Sequence, residues 1–227
     1  MITKKTRIIA LSHVQFTGGF KCNLEEIGNL CKAHNIDFFV DAAQSLGCLP
    51  VLPESWNISC IAASGWKWLH GPIGSGILYT SRALRDKIQI VAAGADLMKQ
   101  GQDYLNHTWD PYLTGKMFEY STPSLSHAAG LAASLAWMLP IKDEIPAYNH
   151  DLRHAFLNAS RMPYDIPDNE HSGILSFPCP AGFSSRIKAH GITCTERGGY
   201  IRIAPHFGNT IQEMERAGEI FFKLMHS

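Results

Sequence analysis

Short apolar runs and segments of helical period alternate along the first eighty residues. Arg7-Ile-Ile-Ala-Leu11 is nearly continuous in apolar character, the mark of a buried strand, and it ends at Ser12-His13-Val14. Gly18-Gly19 marks a turn. Leu24, Ile27, Leu30 and Cys31 then recur at helical spacing, and Asn23 with Glu26 three positions on has the spacing of a capping box. This predicts a helix over about 24–34. Ile36 to Val40 reads as a second strand, closed by Asp41. Strand, helix and strand in succession predict a βαβ unit, which requires parallel strands and a right-handed crossover. Runs at 58–63 and 76–79 extend the sheet.

Beyond Tyr79 the pattern changes. Ser81 suits the cap of a short helix running to Lys87. From Ala92 to Lys116 no period is sustained and Gly, Asp, Asn, Pro and Tyr crowd together, which predicts a long irregular segment of the kind that serves a site or an interface. Residues 126–139, rich in alanine and leucine, predict a strong helix. Pro140 and Pro146 interrupt the pattern, so a boundary is expected there, with domains over 1–140 and 141–227. The second part reads as helix (148–158), strand (173–177), short helix (182–190), strands (192–195 and 200–204) and a last helix from Ile211. The class is α/β, a mostly parallel sheet with helices followed by a small α+β domain.

Composition narrows the partners. A chain of 227 residues with 45% hydrophobic character can bury a core of its own. Acidic and basic residues balance at 20 each, which leaves no electrostatic footprint for nucleic acid or an anionic membrane. No apolar run has the length of a bilayer span, and the run after the basic start is too short for a signal peptide. The six cysteines are scattered without a C-x-x-C pair, which suits reduced thiols and a cytoplasmic location. His150 and His154 stand four apart, a ligand spacing, but no third ligand or glutamate joins them, and no metal site is expected.

The chemistry concentrates in Ser64-Gly-Trp-Lys-Trp-Leu-His-Gly-Pro-Ile-Gly-Ser-Gly76. Lys67 falls just past a predicted strand, where α/β proteins keep their ligand sites. Set between Trp66 and Trp68, its ammonium is expected to be desolvated, which would make it a usable amine nucleophile. The alternative is a lysine that reaches past two core tryptophans to water. Asp41 ends the neighbouring strand. A lysine and a carboxylate at two strand ends suit pyridoxal phosphate, the lysine forming a Schiff base and the acid keeping the pyridinium nitrogen protonated. Asp41 equally suits a helix N-cap. The glycines from Gly71 to Gly76 do not form a dinucleotide loop, because they open onto a β-like run and not onto a helix.

Together Ser12-His-Val14, Asp41-Ala-Ala-Gln-Ser45, Ser64 to Pro72, Phe118-Glu-Tyr-Ser-Thr-Pro123 and Ile201-Arg-Ile-Ala-Pro-His-Phe-Gly-Asn-Thr210 resemble the class V aminotransferases. These are fold type I pyridoxal phosphate enzymes that include cysteine desulfurases, kynureninases and isopenicillin N epimerase-like proteins. The resemblance implies cofactor-binding roles for His13, Asp41, Gln44, Ser64, Trp66, Lys67 and Thr122, with Lys67 catalytic. Gln44 would bond the cofactor's phenolic oxygen and Ser64 its phosphate. Arg202 would bind the α-carboxylate of an amino acid substrate, a task that suits its planar fork. Thr122 would reach the cofactor of the partner in a homodimer. Each position also has a plainer reading: His13 as a core histidine, Gln44 at the surface, Thr122 as the lead into a helix. Asn209-Thr210 matches family spacing and suits the cap of the last helix.

Departures matter as much. Trp66 replaces the histidine that precedes the lysine in desulfurases, Phe16 replaces an asparagine, Ser121 a glycine, and Gly208 an aromatic. Cys194 lies only eight residues before Arg202, too close for the mobile loop of a desulfurase nucleophile, so desulfurase activity is the lesser expectation. The resemblance begins partway through the family fold, and a further phosphate-binding turn and the residue that stacks on the cofactor ring are not found before Arg7. The expectation is thus an aminotransferase, epimerase or lyase acting on an amino acid, or else a non-catalytic remnant or one subunit of a split enzyme that pairs with a separate N-terminal-half chain.

Overall fold

The structure, a computed structural model, describes residues 2–101, 103–164 and 170–227. They form two compact units. The first holds the chain up to Leu11, then Leu24–Ala43 and Leu52–Trp137; the second holds Ser12–Asn23, Gln44–Val51 and the chain from Met138 onward.

The first unit is built on four strands in the order β1-β2-β3-β4: Ile8–Ser12, Asp37–Asp41, Cys60–Ser64 and Gly76–Thr80. β2 and β3 run parallel, with Phe39 opposite Cys60 and Asp41 opposite Ala62. β4 returns antiparallel, with Ser64 opposite Gly76. The reversal follows from the connection, which is a turn-rich loop and lacks the crossover helix that a parallel return needs. Alternation along the strands sends Phe38, Val40 and Ile61 inward, each under 5% exposed. Asp41, Ala62 and Leu78 lie on the other face, which is open to solvent.

Helix α1 (Leu24–Ala33) buries Leu24 and Cys31. The short α2 (Arg82–Arg85) starts where Ser81 accepts a hydrogen bond from the Leu84 N–H at 3.2 Å. The described residues of 92–116 hold little regular structure, as their aperiodic sequence predicts. Helix α3 (Leu125–Met138) is apolar apart from Ser126, His127 and Ser134, yet Leu125 and Trp137 are 73% and 60% exposed.

In the second unit, α4 (Ile145–Ser160) and α6 (Ile211–Met225) share a core with the antiparallel sheet β5-β7-β6 (Leu175–Pro178, Tyr200–Ile203, Thr195–Arg197) and the short α5 (Phe183–Lys188). Phe221 anchors this core, its ring edge-on to Phe156 at 5.4 Å and to Phe183 at 5.2 Å. The helices approach closely at Gly218, where a Cβ would come within 2.6 Å of the Phe156 carbonyl oxygen. Thr210 and Glu213 form a capping box on α6, as the Asn209-Thr210 pair predicts. β6 and β7 are joined by Gly198 and Gly199 at φ 58 and 79, the two positive values that a type I′ hairpin turn demands.

Two local expectations are corrected. Pro146 does not interrupt a helix; it occupies the first turn of α4, where its missing N–H costs nothing, and the helix starts at Ile145. The strand expected over 192–195 lies instead at Thr195–Arg197, because the two-glycine turn fixes which residues face Tyr200 and Arg202. Among the described residues no helix is long and apolar enough to cross a membrane.

Candidate active site

Because β2 and β3 are parallel neighbours, their carboxyl ends share one edge of the sheet, where α/β folds gather ligand groups. Asp41 is the last residue of β2 and Ser64 the last of β3. With Ala62, Ser75, Gly76 and Leu78 they line an open cleft of ≈ 500 Å³. Asp41 Oδ1 accepts the Ala43 N–H at 2.9 Å, which holds the carboxylate at the strand end.

Past β3 the chain turns over Gly65–Leu69, with Lys67 at its centre. The Lys67 carbonyl accepts from the His70 N–H at 3.1 Å, and His70 adopts a left-handed φ of 55 to allow it. The loop is closed at its base by Gly71 N–H to the Gly65 carbonyl (2.7 Å) and Gly65 N–H to the Ser75 carbonyl (2.9 Å). Helix α3 fastens it from the side. The Ser134 hydroxyl donates to the His70 carbonyl at 2.9 Å, and His127 Nε2 lies 2.9 Å from the Ile73 carbonyl. The other His127 nitrogen lies 2.5 Å from Ser124 Oγ. A tautomer protonated on Nε2 satisfies both contacts, donating to Ile73 and accepting from Ser124.

Lys67 is half-buried, and its Nζ stands 5.4 Å from the centroid of the Trp66 ring. Among the described residues this amine makes no hydrogen bond or ion pair. The expected enclosure between two indoles is corrected: Trp66 is 48% exposed, while Trp68 is buried at 5%. Consecutive side chains in a turn point apart, so only one indole lies beside the ammonium. A single half-exposed cation–π contact contributes about 0.5–1 kcal/mol.

Lys67 and Thr122 are not among the residues that line the cleft below Asp41. Thr122 is exposed, in the segment that leads into α3. Ser121 is not one of the four described non-glycine residues with positive φ (Asn35, Asn57, His70, Arg161), so a serine there carries no left-handed strain.

The remaining sequence-predicted residues belong to the second unit. Gln44 is half-buried in the turn after β2. His13 begins a hairpin in which Cys22 N–H returns to the His13 carbonyl at 2.8 Å and Val14 pairs with Lys21. At 3% exposure, burial and then the charge of Lys21 bring the His13 pKa down to about 4, so the imidazole is neutral at ordinary pH. Arg202 lies on β7 with Nη1 donating to the Phe16 carbonyl at 2.8 Å, while its buried Nε has no partner among the described residues. Burial, then the charge of Arg197, lowers the Arg202 pKa. The Arg197 guanidinium stands 5.4 Å from the centroid of the Phe16 ring. Cys194 immediately precedes β6; burial, then Cys179 and Glu196, push its thiol up to about 11.

The structure therefore brings Asp41 and Ser64 to one cleft, and gathers Phe16, Arg197 and Arg202 in the second unit. Sequence reading missed Ser134 and His127, although their spacing of seven with Leu131 between them marks one helical face. Arg197 was missed as well; the Gly-Gly pair was the available signal, since a two-residue hairpin puts Thr195, Arg197, Tyr200 and Arg202 on one face.

Residues 1–188 match the family model of class-V aminotransferases. Over 183 residues the chain is 29% identical to a probable cysteine desulfurase of Pyrococcus abyssi, which covers 78% of this chain and 45% of that relative. It is 24% identical to an uncharacterized aminotransferase of Bacillus subtilis, YcbU, over 99% of this chain and 62% of the relative. Among solved structures, the apo cysteine desulfurase of Thermococcus onnurineus NA1 matches with a TM-score of 0.84 at 25% identity, covering 98% of this chain and 61% of that one. The cystine C-S lyase C-DES, in complex with its reaction product cysteine persulfide, gives the same TM-score at 23% identity, over 99% and 62%. The chain thus spans less than two thirds of the length of these proteins.

Proposed function

The chain belongs to the class-V aminotransferase family, and from that premise we propose that it serves a pyridoxal phosphate-dependent reaction on an amino acid, with Lys67 as the residue that holds the cofactor covalently. Its α/β architecture is that of the fold type I transferases. Pyridoxal 5′-phosphate is the cofactor of the family, and one C-DES structure carries glycine linked to it.

The observation that carries the reading is the state of Lys67. It offers an amine without a hydrogen bond or ion pair among the described residues, on a fastened loop, beside a parallel strand that ends in a carboxylate. The residues present fit the cofactor. A free amine, a carboxylate fixed by a backbone N–H, a hydroxyl at the next strand end and a cleft walled by Ala62 and Gly76 are the groups that such a ring and phosphate require.

When bound, the cofactor supplies an electron sink for the α-carbon of the substrate. Asp41 would hold the ring nitrogen protonated, Ser64 would donate to the phosphate, Gln44 would bond the phenolic oxygen, and Trp66 and His13 would complete the surroundings. The Lys67 amine would be the base and acid for the α-proton of the substrate. Arg202 takes the α-carboxylate by its fork, and Thr122 reaches the cofactor of a second copy in a homodimer. The free cysteines suit a reducing, cytoplasmic setting. Transamination, epimerisation and lysis all start from this α-proton step. Desulfuration is the lesser reading, because Cys194 directly precedes β6 and its two-glycine turn and has no long loop to carry it.

A second reading has its own support. The exposed apolar sides of α3 are unusual for a helix of its composition, and they suit a chain that works as one subunit of a split enzyme or as a non-catalytic partner. Two variants separate the cases. Lys67→Ala should abolish covalent cofactor binding, and Asp41→Asn should keep binding while losing most turnover. Full activity in either variant refutes the role given to that residue, and a wild-type chain that binds no cofactor by itself favours the second reading.

A further inference from the structure

Arg202 is accompanied by a second guanidinium. The Gly198–Gly199 turn sets Thr195 opposite Arg202 and Arg197 opposite Tyr200. Residues two apart on a strand share a face, so Arg197 and Arg202 project from the same side of the hairpin. Both settle on Phe16, Arg202 through the carbonyl oxygen at 2.8 Å and Arg197 over the ring at 5.4 Å. The two cations sense each other, since the charge of Arg197 adds to burial in lowering the Arg202 pKa.

No described carboxylate of the second unit pairs with them. Neither arginine joins an ion pair among the described residues, and Arg202 Nε is buried without a hydrogen-bond partner there. The carboxylate nearest in sequence, Glu196, lies on the opposite face of β6, where its oxygens accept the N–H groups of Gly182 and Ser184 at 3.0 Å each. Arg197 is exposed and water screens its charge, whereas the Arg202 donor is buried and left open, a cost that an arriving anion would relieve. Guanidinium groups bind carboxylate, phosphate and sulfonate by the same planar fork.

We propose that Arg197 and Arg202 form a double-anion subsite, so that the substrate is an amino acid with a second anionic group on its side chain. Arg202 holds the α-carboxylate and Arg197 the side-chain anion, with the Phe16 ring keeping the Arg197 guanidinium in place. The word substrate rests on the functional reading above; the subsite itself is testable without cofactor.

The test is calorimetric titration of the full chain with glutamate, O-phosphoserine and cysteic acid, each against glutamine as the neutral reference. The anionic probes are expected to bind about tenfold more tightly than glutamine, as charge-assisted hydrogen bonds allow, and the tightest of the three identifies the side-chain anion. Arg197→Gln should erase that preference while leaving glutamine binding unchanged, and Arg197→Lys should restore part of it. Equal binding of glutamine and the anionic probes, no binding of any probe, or a preference that survives Arg197→Gln overturns the proposal. A chain that traps cofactor on Lys67 but shows no anion preference fails this inference alone. A chain with the preference but no trapped cofactor fails the functional reading alone.

Discussion

In the second unit Phe156, Phe177, Phe183 and Phe221 are at most 2% exposed and touch one another ring to ring. In the first unit Ile8, Leu78, Leu125 and Trp137 are each at least half exposed, although they lie on a sheet and a helix. Both units bury a core, Phe38, Val40 and Ile61 in the first and the aromatic cluster in the second. The first presents apolar surface and carries Lys67, Asp41 and Ser64 at the edge of an open cleft. Anything that binds the folded state stabilises it, so a cofactor held by Lys67, Asp41 and Ser64 should stabilise the first unit.

The largest test of this contrast is a pair of truncations. Phe221→Ala empties the centre of the aromatic cluster and should cost about 3–5 kcal/mol in denaturant unfolding followed in the second unit. Leu125→Ala removes a side chain that is already 73% exposed and should change stability by no more than about 0.5 kcal/mol. Similar losses in the two variants would break the distinction between a closed aromatic core and exposed apolar surface.

A smaller effect sharpens it through pH. His13 in the second unit has a pKa of about 4 when folded, against an unfolded value near 6.5. Between these two values the unfolded state binds more protons, so stability rises with pH across that window. The contribution is complete above pH 6.5 and falls by about 2–3 kcal/mol as pH drops to 4. His13→Gln should flatten that part of the pH–stability curve. A wild-type curve that is level from pH 6.5 to 4 would contradict the burial of a neutral imidazole.

Much of this architecture is legible in the chain because its causes are local. The periodic apolar positions of α1, the Ser81 cap and the Thr210–Glu213 box each act within a few residues. Pro146 was misread because the same residue that breaks a helix interior is welcome in a first turn. The register of β6 depended on the φ angles of Gly198 and Gly199, which apolar alternation does not report. The surroundings of Lys67 were the larger gap. Its neighbours in sequence suggested enclosure by two indoles, whereas its loop is held by Ser134 and His127, more than fifty residues away. Likewise, nothing local could show that Phe16 and Arg202, 186 positions apart, share a hydrogen bond. Residue types at strand ends could be read as chemistry; what holds them in place could not.

The central claim is that Lys67 is the cofactor lysine. It is tested most directly by adding pyridoxal phosphate to the purified chain, reducing with borohydride and mapping the labelled peptides by mass spectrometry. A single adduct on Lys67, absent from Lys67→Ala, is the predicted result. Label spread over exposed lysines such as Lys4 and Lys142, and unchanged in Lys67→Ala, would contradict it.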